Sequence, residues 1–201
     1  KKMKYIELLK NIKEPIFSIQ DLKLIGYKII PSQFSAYSKK GQIIKLKNGL
    51  YLIADKKNFA IKENIAFKMY EPSYISLEWA LYHYGFIPEI VYNITSISTK
   101  ATRKFKNYFG LFIYRKIKKE LFWGYKKEEK NGQIYLIAEP EKALLDYIYF
   151  NLPKIKNDAD IEELRLNPIM IKKLDVKKLK KYTKLFKNKK ISKIIVNICL
   201  R

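Results

Sequence analysis

Hydrophobic and polar positions change period several times within the first quarter of the chain. In residues 17–54, FSIQDLKLIGYKIIPSQFSAYSKKGQIIKLKNGLYLIA, two short runs have helical spacing, and two strand-like runs follow around a turn. The first run, Ser18 to Ile25, is predicted to be a helix. Ser18 supplies an N-terminal cap, Asp21 favours the positive end of the helix dipole, and Gly26 follows. A second helix is expected after Pro31-Ser32, with Ser32 as its cap and Gly41 as its left-handed stop. Ile43-Ile44 and Leu50 to Ile53 then read as the strands of a hairpin. Its turn falls at Lys47-Asn48-Gly49, where Asn-Gly suits two positive φ values. Helix, turn, helix and hairpin in this order predict a winged helix-turn-helix, whose second helix enters a DNA major groove while the hairpin follows the backbone. A small helical subdomain packing on protein is the other reading of the same pattern.

Ahead of this module, KKMKYIELLKNIKE has Ile6, Leu9 and Ile12 periodic among charges. It reads as a helix packing on the module and not as a signal peptide. Residues 55–65 look like a polar connection, which places a domain boundary near 55–60. Beyond it, a helix is expected from Ser76 to Gly85, with Pro72 stopping the helix before it and Pro88 following its end. Strands are expected at 91–99, 110–117 and 133–139, the last entered through an Asn131-Gly132 turn. Pro140 opens a helix over 141–152, striped by Leu144, Leu145, Ile148 and Tyr149. Asp175 caps another, with Val176, Leu179, Tyr182 and Phe186 on one side and Lys177, Lys178, Lys180, Lys181 and Lys184 on the other. A last helix is expected over 191–200. The expected fold class is α+β: residues 1–55 form the winged helix-turn-helix. Residues 60–201 form an α/β domain with a small sheet and a basic helical tail.

At 201 residues and 48% hydrophobic, the chain can bury a substantial core. No apolar run reaches the roughly 18–20 residues of a membrane-spanning helix, so no membrane role is expected. A net charge of +23 favours polyanionic partners. The excess is nearly all lysine, with arginine only at 103, 115, 165 and 201. That bias is also what an AT-rich genome writes onto solvated faces. The C-terminal half is the more basic, and its lysine-rich helix is either a solvated face or a second polyanion-binding surface.

Residues fit for catalysis are few. His83 is the sole histidine, set among aromatic residues, and reads as a packed or partly exposed helix residue. Cys199 is the sole cysteine and lies among Ile194, Ile195, Val196 and Ile198, which predicts a buried structural thiol. It excludes an intramolecular disulfide and fits a reducing cytoplasm. No zinc-finger spacing, phosphate-cradling glycine loop or cofactor motif is present. Asp158 and Asp160 resemble a Mg²⁺-binding pair but sit in a polar segment and read as a loop or helix start. Glu141 and Asp146 lie about 140° apart around a helix, too far to share an ion easily. The sequence therefore predicts a protein that is not an enzyme, with neither metal nor cofactor.

PSYISLEWALYHYGFIP (72–88), the Gly110-to-Tyr114 strand, Phe122-Trp123-Gly124 and AEPEKALLDYIYF (138–150), behind a module ending in NGLYLIA, resemble the AbiEi antitoxins. These are transcriptional regulators of type IV toxin–antitoxin systems acting in abortive infection, a phage defence. The resemblance spans about residues 16–150. It implies a cytoplasmic autorepressor that binds inverted repeats of double-stranded DNA in its own promoter, as a monomer in solution with two copies meeting on the operator. It also implies a domain that counters a nucleotidyltransferase-like toxin, without necessarily binding it. Ser32, Gln33, Ser35, Tyr37, Lys39 and Lys40 would then face the groove or its flanking phosphates. Lys45, Lys47 and Asn48 would lie on the wing. Family-like positions in the second domain are Tyr74, Ser76, Glu78, Glu141, Lys142 and Asp146. The alternative is a winged-helix protein whose basic C-terminal domain binds RNA or the toxin directly.

Overall fold

A computed structural model describes residues 4–12 and 14–200, apart from the side chain of Leu200. Its architecture is mixed α+β, with ten α-helices and two sheets among these residues. The first elements are α1 (Tyr5–Asn11), β1 (Ile16–Ser18), α2 (Ile19–Leu24), α3 (Pro31–Lys39), β2 (Ile43–Lys47) and β3 (Leu50–Ile53). β1, β3 and β2 form an antiparallel sheet in that order. The expected capping box opens α2: Asp21 N donates to Ser18 Oγ at 3.0 Å, and Ser18 N donates to Asp21 Oδ2 at 2.7 Å.

Several local expectations are corrected. Ser32 does not cap α3. Pro31 occupies the first turn behind Ile30, where its missing N–H costs nothing. In the β2–β3 hairpin only Gly49 takes a positive φ, +80°, and the register slips between Lys45 and Lys47. The turn with two positive φ values lies elsewhere, at Asn131 (52°) and Gly132 (72°). On α1 the buried positions are Leu8 and then Ile12 just beyond its end, while Ile6 is 65% exposed. Of the expected stripe, Ile12 is buried and Leu9 packs half-buried on the same core, and only Ile6 is displaced, with Leu8 in its place.

A short connection, residues 54–61, leads into the second half. After a 3₁₀ turn at Ala54–Lys56 comes α4 (Lys62–Met69), followed by β4 (Ser73–Ile75), α5 (Leu77–His83), β5 (Ile94–Ser98), β6 (Arg103–Asn107), β7 (Gly110–Lys116), β8 (Tyr125–Lys130) and β9 (Gln133–Ala138). Then follow α6 (Pro140–Asn151), α7 (Asp158–Glu162), α8 (Pro168–Lys172), α9 (Val176–Leu185) and α10 (Lys189–Leu200). The six strands form one mixed sheet in the order β6-β7-β5-β4-β9-β8. The expected strands are β5, β7 and β9. The three that were not expected are β4, β6 and β8, and β6 and β8 form the edges of the sheet. Cys199 is exposed on α10, not buried, because Ile191, Ile194, Ile195 and Ile198 take the inner face of that helix.

β3 joins the two halves. Its residues alternate between two cores. Tyr51 and Ile53 pack with Leu8, Phe17, Leu22, Phe34 and Ile43 under α1–α3. Leu50 and Leu52, with Ile16 and Leu46, belong to the core that contains Ile61, Ile65 and Met69 of the α4 segment and the six-stranded sheet. α4 contacts β2 of the small sheet and β4, β5 and β9 of the large one, so it lies between the two sheets. Asn64 Nδ2 donates to Ile134 O at 2.7 Å, and Tyr114 OH donates to Ala66 O at 2.7 Å.

A shared core predicts shared unfolding. Leu52→Ala should destabilise the protein by about 2–5 kcal/mol. Both tryptophans, Trp79 and Trp123, lie in the second half. Their fluorescence in urea should shift to the same lower midpoint as far-UV circular dichroism. A tryptophan midpoint that stays in place would show two independently folding halves.

Candidate nucleic-acid interface

The helical period decides which residues α3 can offer. Gln33 and Phe34 point inward, at 6% and 2% exposure, and Tyr37 lies half-buried on the same side. The Tyr37 ring packs on Tyr5 of α1 with centroids 5.6 Å apart, and Tyr5 OH donates to Gln42 O at 2.9 Å. Burial, with the charge of Glu7 adding to it, pushes the Tyr37 hydroxyl pKa upward. The expectation that Gln33 faces a groove is corrected, because its side chain is part of the packing beneath the helix. Ser32, Ser35, Ala36, Ser38, Lys39 and Lys40 are exposed. The outward face of α3 is thus small hydroxyl and methyl side chains ending in two lysines.

The β2–β3 hairpin lies between two clefts that share Lys47 and Asn48. One, of about 590 Å³, runs along the start of α2 and adds Gln20, Lys23 and Lys68. The other, of about 640 Å³, faces the large sheet. Lys45, Lys47 and Asn48 form one wall, and Arg103, Lys104 and Lys106 of β6 form the other. Asn107 Nδ2 donates to Leu46 O at 3.1 Å and fixes the two walls together. Lys45 and Asn48 are exposed, whereas Lys47 is half-buried. Burial, and then repulsion from Lys100, lowers the Lys47 ammonium pKa, with Glu71 offsetting part of the effect. The β6 cations were not among the expected site residues. Their sequence signal is the charge-interrupted run RKFKN.

The family-like positions of the second half mostly converge, but in a sealed place. Tyr74, Ser76, Lys142 and Asp146 are each 0–1% exposed. Asp146 Oδ2 accepts from Tyr74 OH at 3.0 Å and from Ser76 Oγ at 2.9 Å. Lys142 Nζ donates to Asp146 Oδ1, and to Tyr74 OH at 3.0 Å. The ammonium also lies 4.9 Å from the Trp123 ring centroid and 5.1 Å from that of Phe186. Gly124 makes room for the lysine stem: a Cβ there would meet Lys142 Cγ at 3.0 Å. Burial pushes the Tyr74 hydroxyl and the Asp146 carboxyl up and the Lys142 ammonium down, and the mutual ion pair opposes the last two shifts. Ser76 opens α5 without capping it, since its hydroxyl is given to Asp146. The next residue, Leu77, holds φ at 59°, a strained value for a branched side chain. Thr95 braces that turn: its Oγ1 donates to Ser76 O at 2.7 Å and accepts from Trp79 N at 3.1 Å.

Glu78 stands apart from this cluster, half-buried on α5. Glu141 is turned toward α9, where its Oε1 accepts from Asp175 N at 3.1 Å and its Oε2 lies 3.5 Å from Lys178 Nζ. Lys178 also donates to Glu139 Oε1 at 2.8 Å. It therefore belongs to neither a solvated face nor a polyanion surface, unlike the exposed Lys177, Lys180, Lys181 and Lys184. Asp158 and Asp160 form the first turn of α7. Asp160 Oδ2 accepts the backbone N–H groups of Lys156 and Asn157 at 2.5 and 3.0 Å. His83 stacks on Trp79 at 5.3 Å and lies 3.9 Å from Glu128. Among the described residues no group of three or more His, Cys, Asp or Glu side chains is placed to hold a metal ion. Neither protein-family models nor curated protein sequences match the chain.

Two outcomes follow from these contacts. Lys142→Met strands a buried carboxylate and should destabilise the fold by about 3–5 kcal/mol. Lys142→Met/Asp146→Leu should recover much of that loss in chemical denaturation, and a double variant as unstable as the single one would contradict the ion-pair account. The second concerns Glu139. Its carboxyl is held below its usual range: burial opposes this, but hydrogen bonds from Lys178 and Tyr182 outweigh it. A depressed carboxyl contributes stability that is present above the unfolded pKa near 4.5 and lost as pH falls through the folded value. The stability gap between the native protein and Glu139→Gln should therefore stay constant above about pH 4.5 and close below it. Urea titrations across that range measure the gap.

Proposed function

We propose that this chain is a DNA-binding autorepressor and antitoxin of a type IV toxin–antitoxin system, as the resemblance to AbiEi antitoxins implies, and that it performs no catalysis. We read α1-β1-α2-α3-β2-β3 as a winged helix-turn-helix, with α3 as the recognition helix and the β2–β3 hairpin as the wing. The observation that carries this reading is the small, uncharged outer face of α3 flanked by cations. Serine and alanine at 32, 35, 36 and 38 let a groove floor approach closely. Lys39, Lys40, Lys45, Lys47 and Lys23 lie where flanking phosphates would pass. Ser32 and Ser35 can donate to or accept from base edges, and the helix offers no arginine for guanine. The operator is accordingly an AT-rich inverted repeat in the cytoplasm, bound by two copies.

The sealed Tyr74–Ser76–Lys142–Asp146 cluster supports a structural role for the positions most like the family. Their hydrogen-bonding groups are used on one another, and none of them lines either cleft beside the hairpin. Countering the toxin is therefore assigned to the surface of the second half. The alternative, RNA or toxin binding through the basic tail, keeps Lys177, Lys180, Lys181 and Lys184 as its outward groups and loses Lys178.

Because β3 belongs to both cores, the two activities are best separated by surface substitutions rather than by removing residues 1–55. Ser35→Ala/Lys39→Ala should weaken operator binding at least about tenfold in a gel-shift titration, since one base-edge contact and one phosphate contact are lost. Melting behaviour and rescue of cells from the cognate toxin should be retained. Unchanged affinity in the folded variant would remove α3 from the interface, and loss of rescue would mean that neutralisation acts through the DNA-binding face.

A further inference from the structure

The cleft between the β2–β3 hairpin and β6 has a feature that a duplex backbone does not need. Besides Lys45, Lys47, Arg103, Lys104 and Lys106, its lining includes the rings of Tyr70 and Phe105. Both are half-buried, and their centroids lie 5.9 Å apart in a tilted pair. Tyr70 is fixed by a hydrogen bond from its hydroxyl to Ala101 O at 2.7 Å, and Lys100 Nζ stands 5.7 Å from its ring centroid. No carboxylate lines the cleft. Five cations converge there with only Glu71, outside the lining, offsetting part of the charge at Lys47, and the mutual repulsion that remains would be relieved by a bound polyanion.

We propose that this cleft is a binding site for a nucleotide with an unpaired base, the phosphates held by the lysines and Arg103 and the base laid against Phe105 and Tyr70. Stacked, paired bases inside a duplex present no free face to an aromatic floor, whereas an unpaired base does. The volume of about 640 Å³ lies within the range of small-molecule sites. Asn48 at the rim supplies an amide that can donate to or accept from a base edge or a ribose hydroxyl. The ligand's shared chemistry is a phosphate chain carrying one exposed base, which either a free nucleoside triphosphate or an unpaired stretch of a nucleic-acid strand would supply. Lys47 and Asn48 also line the cleft beside α2. If operator DNA uses that cleft, as the proposed function has it, a nucleotide here competes for the same two side chains and loosens repression.

Titration without operator DNA tests the site independently of the DNA-binding reading. By isothermal calorimetry, ATP and a single-stranded octamer of deoxyadenosine are compared with inorganic triphosphate, which carries the charge and no ring. ATP should bind about tenfold or more tightly than triphosphate, because base stacking on an aromatic side chain is worth roughly 1–3 kcal/mol. The tighter of ATP and the octamer identifies the source of the base. Phe105→Leu should bring ATP down to the affinity of triphosphate, while Arg103→Gln/Lys104→Gln should weaken all three ligands. Triphosphate binding as tightly as ATP, an unchanged preference in Phe105→Leu, or no binding by any of the three would each overturn the proposal. The comparison in the unsubstituted protein decides even if Phe105→Leu fails to fold.

Discussion

Most of this molecule depends on β3 being buried on both faces. An amphipathic sheet would cover one face with α1–α3 and leave the other to solvent. Here the second face carries Leu50 and Leu52, with Ile16 and Leu46 from the flanking strands, and it must also be covered. α4 provides the cover, and its opposite side is then committed to the large sheet. The boundary expected near 55–60 is therefore a short turn into a helix common to both halves. The orientation of α3 relative to β6 is fixed by apolar packing, which is what allows cations from the two halves to line one cleft.

A second constraint is electrostatic. Lys142 and Asp146 are one helical turn apart on α6 and wholly buried, an arrangement that costs a large desolvation penalty unless every hydrogen-bonding position is used. Tyr74 from β4 and Ser76 from the β4–α5 turn satisfy the carboxylate, and three aromatic rings surround the ammonium. Phe186, one of these rings, follows α9 directly, and Lys178 bridges Glu139 and Glu141 from the same helix. The C-terminal helices are thus oriented by charge as well as by the isoleucines of α10.

What was legible in the sequence follows from how local each signal is. Capping at Ser18 and Asp175, the glycine stops at Gly26, Gly41 and Gly85, and the apolar stripe of α6 are decided within a few residues, and the structure agrees with them. On α9 Leu179 and Phe186 are buried and Tyr182 half-buried, but Val176 is exposed. Burial of Gln33 was not legible, because a polar side chain at an inward position is set by what α1 places above it. β6 and β8 were missed for a related reason: RKFKN and YKKEEK carry charge where interior strands carry β-branched residues, and only their pairing with β7 and β9 makes them strands. The site residues divide in the same way. Exposed positions of α3 and the hairpin follow from helical period and turn chemistry, whereas the β6 wall of the cleft comes from topology. The inward turn of Lys142 has no local signal, since a lysine in a helix is ordinarily solvated.

The large sheet ends in these two charged margins. An open sheet presents unpaired N–H and C=O groups along each outermost strand, and another extended chain can dock there and prolong the ladder. On β8 the pair Lys126-Lys127 is followed by Glu128, Glu129 and Lys130. On β6 three cations occupy five residues, and the hairpin stands beside them. A second copy approaching β6 against β6 would bring like charges together at strand spacing before any backbone bond could form. In a chain rich in isoleucine and tyrosine, the β6 margin is therefore guarded against templating its own fibrous assembly by like charge and by the hairpin standing beside it.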